Sequence, residues 1–327
     1  MITITLTNGN GSYDITQLVD VVTLSGEYRS CARTLELGLL SSPDDERIPV
    51  VDCSVGSSVV LQVDGRVMFS GFVFDRTAST NATTIDLSCI DRGLYLNRNE
   101  VSKSYTSPPE AVTRALCSEL GITTGTIATT GVTVRRKFFA TSIYSIIATM
   151  YTEAAKTTGE SYQIAFEGDK LSVRTKGAAG RVLMLRGGSN LMTATTTESA
   201  RNIVNRVIVE DSNGNKLHEL SDKKSIAAYG QMQQIIRQSG NTDQLGAAKR
   251  MLEARGLEQK ITVENLGDTR CITGGAVMLD EPHTRLYGLF HIDADTHTWK
   301  NGLYLNKLTL NLKAVMDEQS AGELIGG

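Results

Sequence analysis

The segment from Leu289 to Leu312, LFHIDADTHTWKNGLYLNKLTLNL, constrains this chain more than any other. Two alternating runs flank Lys300-Asn301-Gly302. Asn-Gly is the strongest short-range hairpin signal, because both residues tolerate the positive φ of a type I′ turn. On the first arm Ile292, Ala294 and Thr296 fall on one face, and His291, Asp293, Asp295 and His297 on the other. On the second arm Leu303 and Leu305 are out of phase with Leu308, Leu310 and Leu312, a slip near Asn306 that predicts a bulge. A long twisted ribbon suits an assembly surface or a barrel closure better than a catalytic centre.

The rest of the first third reads the same way. Strands are expected over 2–7, 18–28, 32–39, 57–63, 66–75 and 82–91, with Asp64-Gly65 as a two-residue hairpin turn. Six short strands with turn signals predict a small barrel or sandwich. The N-terminal alternation of Ile2, Ile4 and Leu6 predicts a strand and not an export signal, and no run approaches a membrane span.

The pattern then changes period. Ser107-Pro108-Pro109-Glu110 predicts a helix start, with Ser107 as N-cap, Pro108 at the first position and Glu110 closing a capping box. Val112, Ala115, Leu116 and Leu120 follow at helical spacing up to Gly121. A second helix is expected from Ser142 to Thr158, with Ile143, Ile146, Ile147, Met150, Tyr151 and Ala154 as its core stripe and Gly159 as its stop. A hairpin, 162–167 with 171–174, completes a small α+β module, and Gly177–Gly180 reads as the hinge out of it. Beyond it the chain returns to β, with a hairpin around Asn213-Gly214-Asn215 and strands near 260–265 and 275–280. One helix interrupts, with Asn241 as N-cap, Gln244 in its first turn and Gly256 beyond its end.

Composition excludes several function classes. With 40% hydrophobic and 21% charged residues the 327-residue chain is an ordinary globular sequence. A net charge of -3 and one basic cluster, Arg135-Arg136-Lys137, argue against nucleic-acid binding as the main task. The five cysteines, Cys31, Cys53, Cys89, Cys117 and Cys271, form no CxxC pair and read as buried thiols of a reducing cytoplasm.

Two segments share a skeleton. Gly56-x-x-Val59-x-Leu61, a turn at Asp64-Gly65 and Gly71-Phe72-Val73-Phe74 are echoed by Gly275-x-Val277-x-Leu279, a turn at Glu281-Pro282 and Gly288-Leu289-Phe290. Any two small barrels give Gly-bounded strands, so a generic likeness and a duplicated barrel both remain open.

Longer motifs carry a resemblance. The run Glu198-x-x-Arg201-Asn202-Ile203-Val204-Asn205-Arg206-Val207 is followed by Ala227-Ala228-Tyr229-Gly230, Gly267-Asp268 and Gly274-Gly275-Ala276-Val277. With Ile292-Asp293-x-Asp295-Thr296-His297-Thr298-Trp299, Asn301-Gly302 and the closing Met316-Asp317-Glu318, they resemble tail hub proteins of contractile-tailed phages and phage-like particles. The nearest group is the PBSX-type prophage hubs (XkdQ/YqbQ-like), with late control protein D-like hubs as wider relatives. The resemblance implies a mainly β fold in which two similar tube-type β-barrel domains, 1–98 and 181–317 (the latter with helix 242–255), flank an inserted α+β module, 99–180. A C-terminal tail, 318–327, follows. It also implies a structural baseplate hub: a homotrimeric ring adapting a six-fold tail tube to a three-fold spike. Its partners would be tube, spike, other baseplate proteins and the tape-measure protein, in a virion or tail-like particle assembled in the host bacterial cytoplasm. No membrane anchor and no specific nucleic-acid binding are expected.

Candidate chemistry is sparse. His291, Asp293, Asp295 and His297 have metal-ligand chemistry, yet same-face neighbours on a strand lie about 7 Å apart. One cation would span only two of them, so a polar interface or solvated face is the expectation. Trp299, the only tryptophan, reads as a packing anchor of the C-terminal barrel. His218-Glu219-Leu220-Ser221-Asp222 begins like a zincin without its second His. Glu160, Glu167 and Asp169 could form an acidic pair for glycoside cleavage, but such spacings are common on solvated hairpins. No catalytic, cofactor-binding or metal-binding residue is assigned and no cofactor is expected. The rival functions are a peptidoglycan-degrading hub enzyme, which lacks its acid/base constellation here, and a host-surface binding tail protein. The latter would want aromatic platforms, yet aromatics make up 6% of the chain.

Overall fold

A computed structural model describes residues 1–42, 45, 47–176, 182–237 and 244–325. The expected hinge Gly177–Gly180 and the expected cap Asn241 lie outside the described residues. Two compact units are present, Met1–Ala194 with Thr262–Gly327, and Thr195–Ile261.

In the first unit the fold is mainly β with an α+β insertion. The strands Ile2–Asn8, Val19–Glu27, Thr34–Leu40, Ser58–Val63, Arg66–Ala78 and Thr84–Asp91 match the alternating runs, with a further strand Gly11–Asp14. Asp64 (φ 50°) and Gly65 (φ 77°) take up the positive φ values that a primed turn needs, and Val63 pairs with Arg66 across it. The ribbon arms Leu286–Lys300 and Leu303–Asn311 turn the same way at Asn301 (φ 53°) and Gly302 (φ 75°). These two groups of strands share one sheet, and no closed barrel is formed among the described residues. The ribbon arm Leu286–Lys300 lies between Leu303–Asn311 and Val19–Glu27, pairing with the latter from Ala294↔Glu27 to Lys300↔Val21.

The phase slip lies on the other arm from the one expected. The ladder shifts between Ile292 and Ala294, so the bulge is at Asp293. Before it Phe290 and Ile292 point into the core; after it Asp293, Asp295, His297 and Trp299 do. On Leu303–Asn311 the core face is Asn306, Leu308 and Leu310 in unbroken alternation. What looked like a slip is a polar residue in a core position, with Leu303 left exposed.

The inserted α+β region has its own core around the helix Ile143–Thr158, whose predicted stripe is buried throughout. Ser142 accepts from Ser145 N at 3.2 Å, and Gly159 (φ 71°) ends the helix. The other cap differs from expectation. Ser107 is the last residue of a strand, Glu100–Ser107, that pairs with Val134–Ser142; the N-cap of the helix Pro109–Glu119 is Pro108. Glu110 instead receives Thr130 N (3.2 Å) and Thr130 Oγ1 (3.0 Å), tying down the loop 128–132.

The second unit holds a three-stranded sheet, Lys216–Ser221, Arg206–Glu210 and Gln233–Arg237, with the helix Gln244–Ala254 against Val207 and Val209. Asn205 of the quoted motif receives Met232 N at 2.7 Å and donates to Gly230 O at 2.8 Å, which fixes the Tyr229-Gly230 turn. His218 is exposed, Glu219 pairs with Arg206 at 3.0 Å, and Asp222 caps the helix Lys223–Tyr229. The zincin-like string is therefore a strand end and a helix cap.

Trp299 is 9% exposed and packs with the core of the N-terminal strands, including Val22, Leu24, Leu37 and Val63, so it anchors the first half as well as the ribbon. Trp299→Ala should lower stability by about 3–5 kcal/mol, read as a fall in the midpoint of reversible unfolding. An unchanged midpoint would show that the indole is not part of this core.

Candidate functional site: a buried polar seam and an apolar outer face

Where the ribbon meets the N-terminal strands, the inward polar residues form a connected network. Arg33 precedes the strand Thr34–Leu40, and its guanidinium forms a two-pronged ion pair with Asp295, Nη1 to Oδ1 at 3.1 Å and Nη2 to Oδ2. Gly26 makes room for it, since a Cβ there would sit 2.5 Å from Nη1. Asp295 also accepts from Thr273 N and Thr273 Oγ1, both at 2.6 Å. Burial pushes the Asp295 carboxyl up, but Arg33 and His297 outweigh it and hold the group well below the usual carboxylate range.

His297, fully buried, sets Nε2 3.1 Å from Asp295 Oδ2. Its Nδ1 lies 2.7 Å from both Asn306 Nδ2 and Tyr304 Oη. Asn306 Oδ1 accepts from Asp268 N at 2.6 Å, so its amide nitrogen must face His297 and donate. Nδ1 is then the acceptor and the proton sits on Nε2, close to Asp295 but without a well-formed hydrogen bond. Tyr304 stacks on Trp299 at 4.4 Å, and Gly267 leaves room for its ring, which a Cβ there would approach to 2.1 Å. The Gly267-Asp268 motif is thus explained by packing and a hydrogen bond.

A second pair flanks the seam. Lys176, its side chain wholly buried, donates to Asp293 at 3.0 Å and lies 4.8 Å from the Tyr28 ring centroid. Burial lowers its pKa and Asp293 opposes the shift. The face expected to be a polar interface or solvated is instead buried, and of the four candidate ligands only Asp295 and His297 approach each other, at 3.1 Å. Asp293 goes to Lys176, Asp295 to Arg33, His297 to Tyr304 and Asn306, while the bulge leaves His291 half-buried and out of line. No group of three or more His, Cys, Asp or Glu able to hold a metal occurs among the described residues. Of the acidic trio, Glu167 pairs with Arg174 at 2.5 Å, Glu160 accepts from Tyr162 and Thr175 at 3.3 Å, and Asp169 lies in the hairpin turn. All five cysteines are buried and unbridged, and burial pushes the Cys89 and Cys271 thiols up to about 12.

Sequence reasoning missed Arg33, Thr273, Tyr304, Asn306 and Asp91. Asp91 accepts from Arg33 N (3.1 Å) and Gly93 N (2.8 Å). Burial nonetheless pushes its carboxyl up to about 7. The only available signal was a polar residue, Asn306, in the core phase of a strand.

The outer face differs. Met184, Met278 and Leu289 lie side by side on the strands Leu183–Arg186, Ala276–Glu281 and Leu286–Lys300. Met184 is 45%, Leu289 43% and Tyr287 58% exposed, beside the Arg186–Asp280 ion pair at 2.9 Å. Among the described residues Leu183–Arg186 pairs on one side only. An apolar row with a charged rim has the anatomy of a protein interface, although Asn190 closes the free edge of Leu183–Arg186, accepting from Arg186 N at 3.0 Å and donating to Met184 O at 2.8 Å.

The fold is that of phage tail proteins. The 43 kDa tail protein of prophage MuSo2 from Shewanella oneidensis superposes with a TM-score of 0.73 at 13% identity, over 95% of this chain and 97% of that one. A tail protein from Neisseria meningitidis MC58 gives 0.68 at 12% identity, over 98% and 99%. The E. coli c3393 protein, a type VI secretion component described as similar to the T4 tail proteins gp27 and gp5, gives 0.54 at 10% identity, over 94% and 77%. In sequence, the phage-like element PBSX protein XkdQ of Bacillus subtilis (strain 168) is 25% identical over 311 residues, covering 92% of this chain and 94% of XkdQ. A family model described as YQBQ-like matches residues 22–311, and the chain belongs to that family.

Three measurements test the seam. Arg33→Met leaves Asp295 buried and unpaired and should cost about 3–5 kcal/mol, with Arg33→Met/Asp295→Leu costing less than the sum of the single changes. The pH dependence has two windows. Asp295, depressed, contributes stability above its unfolded pKa of about 3.9 and loses it as pH falls through the folded pKa. Asp91, raised, contributes fully below its unfolded pKa and loses that as pH rises through about 7. In urea titrations Asp91→Asn should therefore gain on the wild type between about pH 4 and pH 7; a constant difference would show that Asp91 does not titrate there. Chelator should leave the melting temperature unchanged, and a fall reversed by zinc would reveal a metal the seam geometry does not provide for.

Proposed function

We propose that this protein is a structural hub of a phage tail or tail-like particle, acting by geometry and not by catalysis. Family membership over residues 22–311, together with a tail-protein fold spanning nearly the whole chain, carries the reading. Three copies form a ring that adapts a six-fold tail tube to a three-fold spike. The internal echo supports this: Ser58–Val63, Arg66–Ala78 and Thr84–Asp91 form an antiparallel meander, as do Ala276–Glu281, Leu286–Lys300 and Leu303–Asn311, and each central strand carries a bulge. Three chains with two such units each offer six similar surfaces to a tube and three identical ones to a spike.

In this reading the barrel domains are 1–98 and 181–317, the module 99–180 faces neighbouring baseplate or tape-measure proteins, and the residues after 317 are a tail. The particle assembles in the host cytoplasm. The buried seam keeps each ring segment rigid, while the Met184–Met278–Leu289 row supplies contact area. No residue is assigned to catalysis, metal or cofactor, because the charged groups of the seam are held by fixed partners.

Imaging of tails carrying a tagged copy should place three chains in one ring between tube and spike. Met184→Glu/Leu289→Glu should keep the wild-type melting temperature and fail to enter tails. Six chains per ring, or a position away from the tube end, would sink the adaptor reading. Normal incorporation of the variant would remove the apolar row from the interface.

A further inference from the structure

One strand of the inserted module turns a basic and aromatic face to solvent. Along Val134–Ser142 the side chains alternate: Val134, Arg136 and Phe138 are buried, while Arg135, Lys137 and Phe139 are exposed. Arg136 turns inward to Glu153 at 2.6 Å. Five of the nine Lys and Arg residues between Glu100 and Lys176 are ion-paired. Arg135 and Lys137 are not: among the described residues no carboxylate pairs with either, although Glu323 stands opposite Lys137 in the ladder. The Arg135-Arg136-Lys137 cluster therefore splits, one charge going to the core and two to a free surface.

Phe139 completes the face. Its ring is 55% exposed, and Lys137 Nζ lies over it at 4.5 Å from the centroid. The backbone that carries it is strained. Phe139 and Ala140 together stand against Ser102 where the ladder shifts, and Ala140 takes φ 39°, a left-handed value rare for a residue with a Cβ. Ala140 N donates to Ser102 Oγ and Thr141 Oγ1 to Phe139 O, both at 2.9 Å. Strain of this kind persists where the surrounding bonds over-determine it, and it clusters at functional positions. An aromatic ring on a fixed backbone loses little freedom when it is covered, which suits it to anchor an interface. Ile325, whose N lies 3.5 Å from Arg135 O, brings a second apolar side chain to the far end of the face.

The sign of the partner follows from the charges. Arg135 and Lys137 are two apart on one face, about 7 Å from each other, and so offer two cations to one extended segment. Glu323 alone opposes them, leaving the face positive on a chain whose net charge is -3. We propose that the face of Arg135, Lys137 and Phe139 docks an acidic segment of another tail protein, with its carboxylates over the two cations and an apolar side chain against Phe139. The inference rests on the reading of the module 99–180 as the part that meets neighbouring tail proteins, and gives that contact its residues and its sign.

A benzophenone side chain placed at Phe139 of the full chain reports what covers the face, and Ser104, across the ladder from Lys137, serves as a second position for it. Assembled tails are irradiated and the cross-linked peptides identified by mass spectrometry. The expected product joins the probe to a segment of a different protein flanked by Asp or Glu, in a yield that falls as salt is raised. Arg135→Glu/Lys137→Glu should abolish this product and keep the wild-type melting temperature, since both side chains are exposed and unpaired. Attachment to this chain itself, to phospholipid or to a segment without carboxylates overturns the proposal, as does a product that survives charge reversal. A chain absent from wild-type tails would sink the hub reading and this surface with it, whereas a chain present in tails with no cross-link from either position sinks the surface alone.

Discussion

The pairing of Arg33 with Asp295 is the constraint on which the rest of the first unit depends. Two charges are taken out of water where the ribbon crosses the N-terminal strands, and desolvation on this scale is repaid only by near-complete hydrogen bonding. The structure supplies most of it with the two prongs of the guanidinium and the Thr273 hydroxyl and amide, while Arg33 Nε and His297 Nε2 are left without hydrogen-bond partners. Such a network adds little stability over an apolar core but is intolerant of misregister. A one-residue slip of the ribbon would put Asp295 on the solvent face and leave Arg33 buried alone. The polar seam therefore specifies which residue of the ribbon opposes which residue of Val19–Glu27, and so ties the two halves into one sheet.

The bulge at Asp293 is what makes this possible. Without it Ile292 and Asp295 could not both face inward, because they are three apart on a strand whose side chains alternate. The extra residue changes the face midway, so an apolar half, Phe290 and Ile292, and a polar half, Asp293 to His297, line one interior. It also points Asp293 at Lys176, tying the inserted module to the ribbon.

Hairpins, helix stripes and the overall β character were legible because each rests on local chemistry: Asn-Gly and Asp-Gly turns, a Ser cap, a Gly stop, alternating side chains. The seam was not, because its partners are far apart in sequence; Arg33 and Asp295 are separated by 262 positions. Alternation placed the polar residues of the ribbon together correctly but could not say that their face was the inner one, since polar-in is the rarer arrangement. Asn306 misled for the same reason: a polar residue in core phase mimics a slipped strand. Ser107-Pro108 misled because a preceding strand had already claimed Ser107, a tertiary demand overriding a good local cap.

Two surfaces differ in what they accept. The outer row of Met184, Met278 and Leu289 can be met by any apolar surface of suitable shape, so similar but non-identical neighbours satisfy it. The groove under the C-terminal segment holds main chain at fixed spacing. On the proposed reading as an adaptor between symmetries, the permissive row is where the hub would meet similar but non-identical neighbours.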